Sequence, residues 1–303
     1  MNTNKNTPAS IAGRTALRLL ALALVLPAWG SAVAAPQSEA TQEVVSSAEL
    51  AFIPLNPARG DAAPQAGGLW GDIRSDVPSG VLLKFADGFS SPPHIHNITY
   101  RAVVISGAVH NDDPDAEKMW MGPGSFWIQP AGESHITAGA KGSGATAFLE
   151  IMEGPYLVEP SDEAFDNGER PLNVEASNIV WVDASDITWV ETGESSSDAA
   201  RAEMAFLWGD PANDERNGTF LKLPADSRVS LRGGEAWLRG VVIAGQISHR
   251  PAETSDVSEL AAGSYFGSRD GAAHEISCKA DDECVIYIST QGSYDVAVLR
   301  STE

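Results

Sequence analysis

The sequence predicts an all-β protein built as two tandem β-barrels, and three observations carry that expectation. The chain repeats itself: Leu69-Trp70-Gly71-Asp72 returns as Leu207-Trp208-Gly209-Asp210. Each copy breaks into short apolar segments, such as Val81 to Phe85, Ala102 to Ile105 and Ser125 to Gln129, divided by Gly, Pro, Asn and Asp clusters. Their spacing of roughly 8 to 12 residues suits sandwiches and barrels. No long amphipathic helical period interrupts them.

The repeat holds over a long stretch without a gap. At one constant offset Gly80 meets Gly218, Leu83-Lys84 meets Leu221-Lys222, Arg101 meets Arg239, Val103-Val104-Ile105 meets Val241-Val242-Ile243, and Gly107 meets Gly245. One residue further on, Gly124-Ser125 meets Gly263-Ser264, Gly132 meets Gly271 and His135 meets His274. Self-similarity of this kind marks duplicated units. Residues kept in both copies serve the shared fold, so Trp70 and Trp208, Asp72 and Asp210, and Arg101 and Arg239 read as structural. Glu159 to Asn173, rich in Pro, Asp, Glu and Asn, reads as a linker, with Ile179 to Val182 and Ile187 to Val190 opening the second barrel.

The N-terminal segment is expected to be removed. Lys5, Arg14 and Arg18 precede an apolar run from Leu19 to Trp29 and the small-residue stretch Gly30 to Ala35, the pattern of a secretory signal peptide cleaved after Ala34. The expected divisions are therefore residues 1–34 as signal, 35–170 as a first barrel and 171–303 as a second, in a periplasmic or secreted protein. The apolar run is too short to span a bilayer, and the later sequence holds no stretch of about 20 apolar residues. With 41 acidic against 20 basic residues and a net charge of -21, the surface repels nucleic acid and anionic membranes. Cys278 and Cys284, separated by a polar turn between apolar segments, read as a disulfide clamping a β-hairpin in an oxidising compartment.

The chemistry concentrates in the first copy. Gly88-Phe-Ser-Ser-Pro-Pro-His94-Ile-His96-Asn-Ile-Thr-Tyr100, closed by Gly107, places His94 and His96 two apart on a strand, so both imidazoles share one face. Further on, Gly124-Ser-Phe-Trp-Ile-Gln-Pro130-Ala-Gly132-Glu-Ser-His135 presents a third histidine after a glycine and proline turn. Imidazole suits Zn, Cu, Fe and Ni alike, so one divalent ion of Fe, Zn, Mn, Cu or Ni is expected, and three histidines leave coordination positions open, as catalysis needs. Glu133 is the nearest candidate base. The apolar stretch Met119 to Trp127 reads as pocket wall or barrel core, and His110 as a turn residue.

These paired strings resemble the two motifs of the cupin superfamily. That resemblance implies cupin double-stranded β-helix (jelly-roll) barrels, and a divalent metal held by two histidines and a glutamate of the first motif and one histidine of the second. The Leu-Trp-Gly-Asp pattern with Pro-Pro-His-Ile-His is most similar to a family of tandem cupins recorded as a domain of unknown function, and resembles the cupin half of anti-sigma factors. Tyr100 stands where the family's glutamate ligand is expected. The tyrosine is a phenolate ligand, a hydrogen-bond donor to a metal-bound water or a packing residue, and its ordinary pKa near 10 favours the donor role. The set His94, His96 and His135 then resembles the all-histidine sites of acetylacetone-cleaving and cysteine dioxygenase-like cupins.

In the second copy the constant offset sets Arg232, Gly234 and Leu238 opposite His94, His96 and Tyr100, leaving His274 alone. The second barrel is expected to be degenerate. It reads as a structural partner, with an anion-accepting module around Arg232 and Arg239 as the alternative. The function expected is that of a metal-dependent oxygenase or lyase acting on a small organic molecule with one divalent transition metal, and the alternative is a non-catalytic cupin that binds a small ligand or senses metal. Homodimerisation stays open.

Overall fold

The structure, a computed structural model, describes residues 42–142, 144–190, 202–279, 281 and 283–299. The expected signal peptide lies outside them. Among the described residues the fold is essentially all-β, with only short 3-10 turns, and no helix is long and apolar enough to cross a membrane.

Two seven-stranded antiparallel sheets dominate. The first runs in the order Leu172–Val174, Phe126–Gln129, Tyr100–Ser106, Ala145–Ile151, Ser79–Phe85, Gln65–Trp70, Ile53–Pro54. The second runs Gln42–Val45, Tyr265–Ser268, Leu238–Ala244, Cys284–Gln291, Arg216–Leu223, Glu203–Trp208, Val182–Asp183. Matching strands of the two copies occupy matching places, which is the repeat made visible. Alternation along each strand divides the apolar residues between two faces. One face of each sheet buries a core within its own half, built around Val104, Ala147 and Leu149 in the first and Val242, Leu221 and Ile286 in the second. The opposite faces bury a third core between the halves, containing Trp70, Phe148, Phe220, Tyr265 and Tyr287.

Trp70 and Trp208, Gly80 and Gly218, and Arg101 and Arg239, kept in both copies, serve this inter-half contact. Gly80 and Gly218 sit opposite Trp70 and Trp208, and a β-carbon on either glycine would lie 2.3 Å from the Trp70 ring or 2.0 Å from the Trp208 ring. Arg101 covers the ring of Trp208 at 4.0 Å while Arg239 covers that of Trp70 at 5.3 Å, a reciprocal cation–π exchange. Lys84 lies over Phe52 and Lys222 over Trp181 in the same paired fashion.

Strands are exchanged as well. Gln42–Val45, which precedes the first copy, pairs with Tyr265–Ser268 of the second, and Leu172–Val174, which precedes the second, pairs with Phe126–Gln129 of the first. Equivalent serines anchor both crossovers: Ser264 Oγ accepts from Ser47 N and Ser125 Oγ accepts from Ala176 N, each at 3.0 Å. The stretch read as a linker is thus part of the first half, because Val158–Pro160 also pairs with His94–His96.

Cys278 and Cys284 are bonded. They do not clamp a hairpin. Ala273–Cys278 belongs to a five-stranded sheet with Ser258–Ala261, Gln246–Pro251, Arg228–Arg232 and Asp295–Val298, whereas Cys284–Gln291 is central in a seven-stranded sheet. The bridge staples the two sheets of the second half where the chain passes between them. A short polar turn looks alike in either arrangement, which is why spacing alone suggested a hairpin.

Candidate metal centre

In the first half the counterpart of that five-stranded sheet is divided into two ribbons, Val158–Pro160 with His94–His96 and Val109–Asp112 with Ile136–Gly139. An isolated bridge between His94 and His135 joins them, with each N–H donating to the other's carbonyl at 3.0 Å. The site forms at this joint. Strand alternation brings His94 and His96 to one face, and the turn ending in Gly132, at φ 76°, returns the chain so that His135 meets them. Gly132 N–H donates to His96 O at 2.8 Å, locking the turn to the ligand strand.

All three histidines are buried, and one ligand atom from each lies within 4.8 Å of the others. Each Nδ1 faces a backbone carbonyl: His94 that of Pro92 at 3.0 Å, His96 that of Leu157 at 2.7 Å, His135 that of Glu133 at 3.1 Å. Donation from Nδ1–H to these carbonyls fixes the tautomer in which Nε2 carries the free lone pair. His135 Nε2 is buried with no hydrogen-bond partner, an atom that a metal ion would satisfy. Burial lowers the pKa of all three imidazoles, most explicitly His135, pushed down to about 3 by desolvation and then by neighbouring His94. Neutral, pinned and convergent, the set fits a divalent transition metal.

Tyr100 is buried and lines the cavity above the histidines, and burial raises its pKa to about 12, so it is a neutral phenol. Its proton goes to Asn111 Oδ1 at 2.9 Å rather than toward the cluster. From Asn111 the chain of hydrogen bonds continues through Nδ2 to Gln129 Oε1 at 2.8 Å, and from Gln129 Nε2 to Glu133 O at 3.1 Å, the same carbonyl that receives His135 Nδ1. Tyr100 therefore braces His135 at a distance. Glu133 enters through this carbonyl; its side chain is half-buried and is not among the residues lining the cavity.

Tyr156 was not singled out by the sequence. Its ring stacks on His96 with centroids 4.2 Å apart, and its hydroxyl lies 2.9 Å from His96 Nε2. With His96 Nδ1 already donating, this phenol is the donor. No ligand spacing links a residue 60 positions away to the histidine motif, and the turn Gly154-Pro155 that delivers it carries no chemical signal of its own.

Of the apolar stretch Met119 to Trp127, only Trp127 lines the cavity; Met121 and Phe126 are core, and Met119 and Trp120 are exposed. His110 is a buried strand residue, not a turn residue, because its strand pairs with Ile136–Gly139 and its Nδ1 faces Met119 O at 3.3 Å.

The second half has no equivalent cluster among the described residues. Register corrects its alignment: His274 pairs with Leu231 as His135 pairs with His94, so buried Leu231, not exposed Arg232, occupies the ligand position. Arg232 thus points out of the half, and Arg239 is engaged over Trp70 and Trp237, which leaves no anion module between them. Leu238 replaces Tyr100, and His249, at the place of Asn111, contacts His274 at 2.8 Å.

The match to a family model covers residues 43–297, and that family is described as a domain of unknown function, DUF4437. The chain belongs to DUF4437. No curated protein matches it. Among solved structures, this DUF4437 chain is similar to a proposed dioxygenase of Nostoc punctiforme, with TM-score 0.61, 12% identity, and 83% of each chain covered. It is also similar to YlbA of E. coli, with TM-score 0.57, 11% identity, and 82% and 90% coverage. Salicylate 1,2-dioxygenase of Pseudaminobacter salicylatoxidans follows with TM-score 0.55, 15% identity, and 84% and 85% coverage. At such identities the likeness shows the fold alone, and in this chain that fold carries a buried three-histidine cluster able to ligate metal.

Proposed function

We propose that this DUF4437 protein is an exported, metal-dependent enzyme, an oxygenase or lyase, acting on a small organic molecule in its first half. Its two halves are read as a pair of jelly-roll barrels of which the second is a structural partner. The observation that carries the proposal is the triad His94, His96 and His135, each pinned through Nδ1 with Nε2 turned inward, beside a cavity of about 670 Å³. A structural metal site is closed by protein donors, whereas this one opens onto a space that admits substrate. Bound there, a divalent transition metal supplies Lewis-acid polarisation of a substrate oxygen.

The chain's own residues supply the rest. Tyr156 presents a proton at the His96 edge of the site, Tyr100 steadies the Asn111–Gln129–Glu133 line behind His135, and Leu83, Phe85, Phe89 and Leu149 exclude water from the cavity. Glu133 acts through its carbonyl rather than its carboxylate. Export is supported by the Cys278–Cys284 bond, which persists in oxidising compartments. Similar folds in dioxygenases such as that acting on salicylate are in keeping with this chemistry.

The test is to load the purified protein with Fe(II), Mn(II), Zn(II), Cu(II) or Ni(II) and follow oxygen uptake and product formation on diketones, thiols, flavonols and carboxylates. Turnover that depends on the metal and disappears in His96→Ala supports the enzyme reading. Tight metal binding with no turnover across the panel would favour the non-catalytic reading.

A further inference from the structure

We infer that the cavity lined by His94 and His96 selects a small organic anion with an apolar body, in the simplest case a carboxylate, and that Arg59 recognises its charge. The inference deepens the reading of the site as a ligand-binding metal centre and rests on it.

Charge at the cavity runs against the charge of the protein. The chain has 41 acidic and 20 basic residues, yet among the described residues no Asp or Glu lines this cavity, and beside its neutral histidines the charged side chain there is Arg59. A cavity in so acidic a protein acquires such a lining only if carboxylates are kept away from it. The guanidinium lies 5.6 Å over the ring of Phe89, itself a wall residue, and no ion pair engages it among the described residues. A planar guanidinium braced on an aromatic face and lacking an acid partner is well suited to bidentate capture of a carboxylate.

Backbone geometry holds Arg59 at the rim. It sits in the turn Pro57–Ala62, where Asn56 Oδ1 accepts from Ala58 N at 3.0 Å and Asn56 O accepts from Arg59 N at 3.0 Å. Proline at the first position of the turn fixes its backbone before any ligand arrives.

The donor set argues in the same direction. Three imidazoles and no carboxylate leave the charge of a divalent ion without compensation from the protein, so an anionic ligand is favoured over a neutral one. The remaining wall decides the body of the ligand. Leu55, Pro64, Leu83, Phe85 and Leu149 offer apolar surface, and the hydroxyls of Ser91, Tyr100, Thr137 and Tyr156 are each hydrogen-bonded within the protein, which disfavours a sugar. Cations are disfavoured by both Arg59 and the metal.

The experiment compares phenylacetate with phenylacetamide and hexanoate with hexanamide by calorimetry, on the full chain with and without Zn(II). The acids should bind at least tenfold more tightly than their amides. Arg59→Gln should lower acid affinity about tenfold and leave amide affinity unchanged, with Arg59→Lys recovering part of the loss. Arg59 is exposed, so these variants keep the core intact. Equal binding of acid and amide by a chain that loads zinc normally would overturn the inference and leave the metal centre standing. Acid selectivity that depends on Arg59 in a chain that fails to hold zinc would support the inference while refuting the metal reading.

Discussion

The hydroxyl of Tyr156 lies 2.9 Å from Nε2 of His96, the lone pair that a metal needs. Phenol and metal ion compete for one atom. A hydrogen bond of this kind is worth about 1 kcal/mol net, so Tyr156→Phe is expected to tighten metal binding about fivefold. Competition titration with a chromophoric chelator measures it. Weaker binding in the variant would instead make Tyr156 a ligand.

Tyr100 stands one step further back, donating to Asn111 Oδ1 and lining the cavity. Tyr100→Phe is expected to retain fold and metal and to lower kcat by about ten- to a hundredfold, with KM little changed, because the brace behind His135 loosens. Elemental analysis alongside steady-state kinetics separates the outcomes. Loss of the metal with loss of activity would place the residue among the ligands.

The histidine triad was legible because two short-range facts reveal it: strand alternation aligns His94 with His96, and a Gly-Pro turn brings in His135. The pairing of Trp70 with Gly80 and Trp208 with Gly218 was legible only as a repeat; its cause, reciprocal stacking with Arg239 and Arg101, is a contact between halves that no local pattern encodes. Tyr156 stayed hidden for the same reason, since it reaches His96 by a tertiary route. The hairpin expected at Cys278 and Cys284 failed because spacing cannot tell a turn within one sheet from a passage between two.

Buried imidazoles give the metal-free protein a definite pH dependence. Burial lowers the pKa of His94, His96, His135, His249 and His274 from the ordinary 6.5, to about 3 for His135 and His249 and about 4 for His274. The unfolded chain takes up these protons near pH 6.5 and the folded chain refuses them, so stability is full above that pH and falls as pH drops toward the folded values. Buried Glu150, raised from 4.5 by desolvation, acts in the opposite sense, losing its contribution as pH rises through its folded pKa. Five imidazoles outweigh one carboxyl. The Tm in chelator should fall between pH 7 and pH 5, as the loss of unfolding free energy steepens below pH 6.5 toward about 1.4 kcal/mol per histidine per pH unit. A flat Tm over that range would contradict neutral burial.

Reduction of the Cys278–Cys284 bond, which closes a short loop and ties two sheets together, should cost roughly 2 to 3 kcal/mol in the chain-entropy model. Urea unfolding with and without reductant checks this. An unchanged midpoint would show that the staple adds nothing to packing already present around Cys284.

The central claim is that the first half alone holds the metal, through His94, His96 and His135. Elemental analysis of the dialysed protein after metal loading tests it most directly, with the wild type compared to His94→Ala/His96→Ala and to His274→Ala. The account predicts about one equivalent in the wild type and in His274→Ala, and none in the double variant. Two equivalents in the wild type, or metal retained when His94 and His96 are gone, would contradict it.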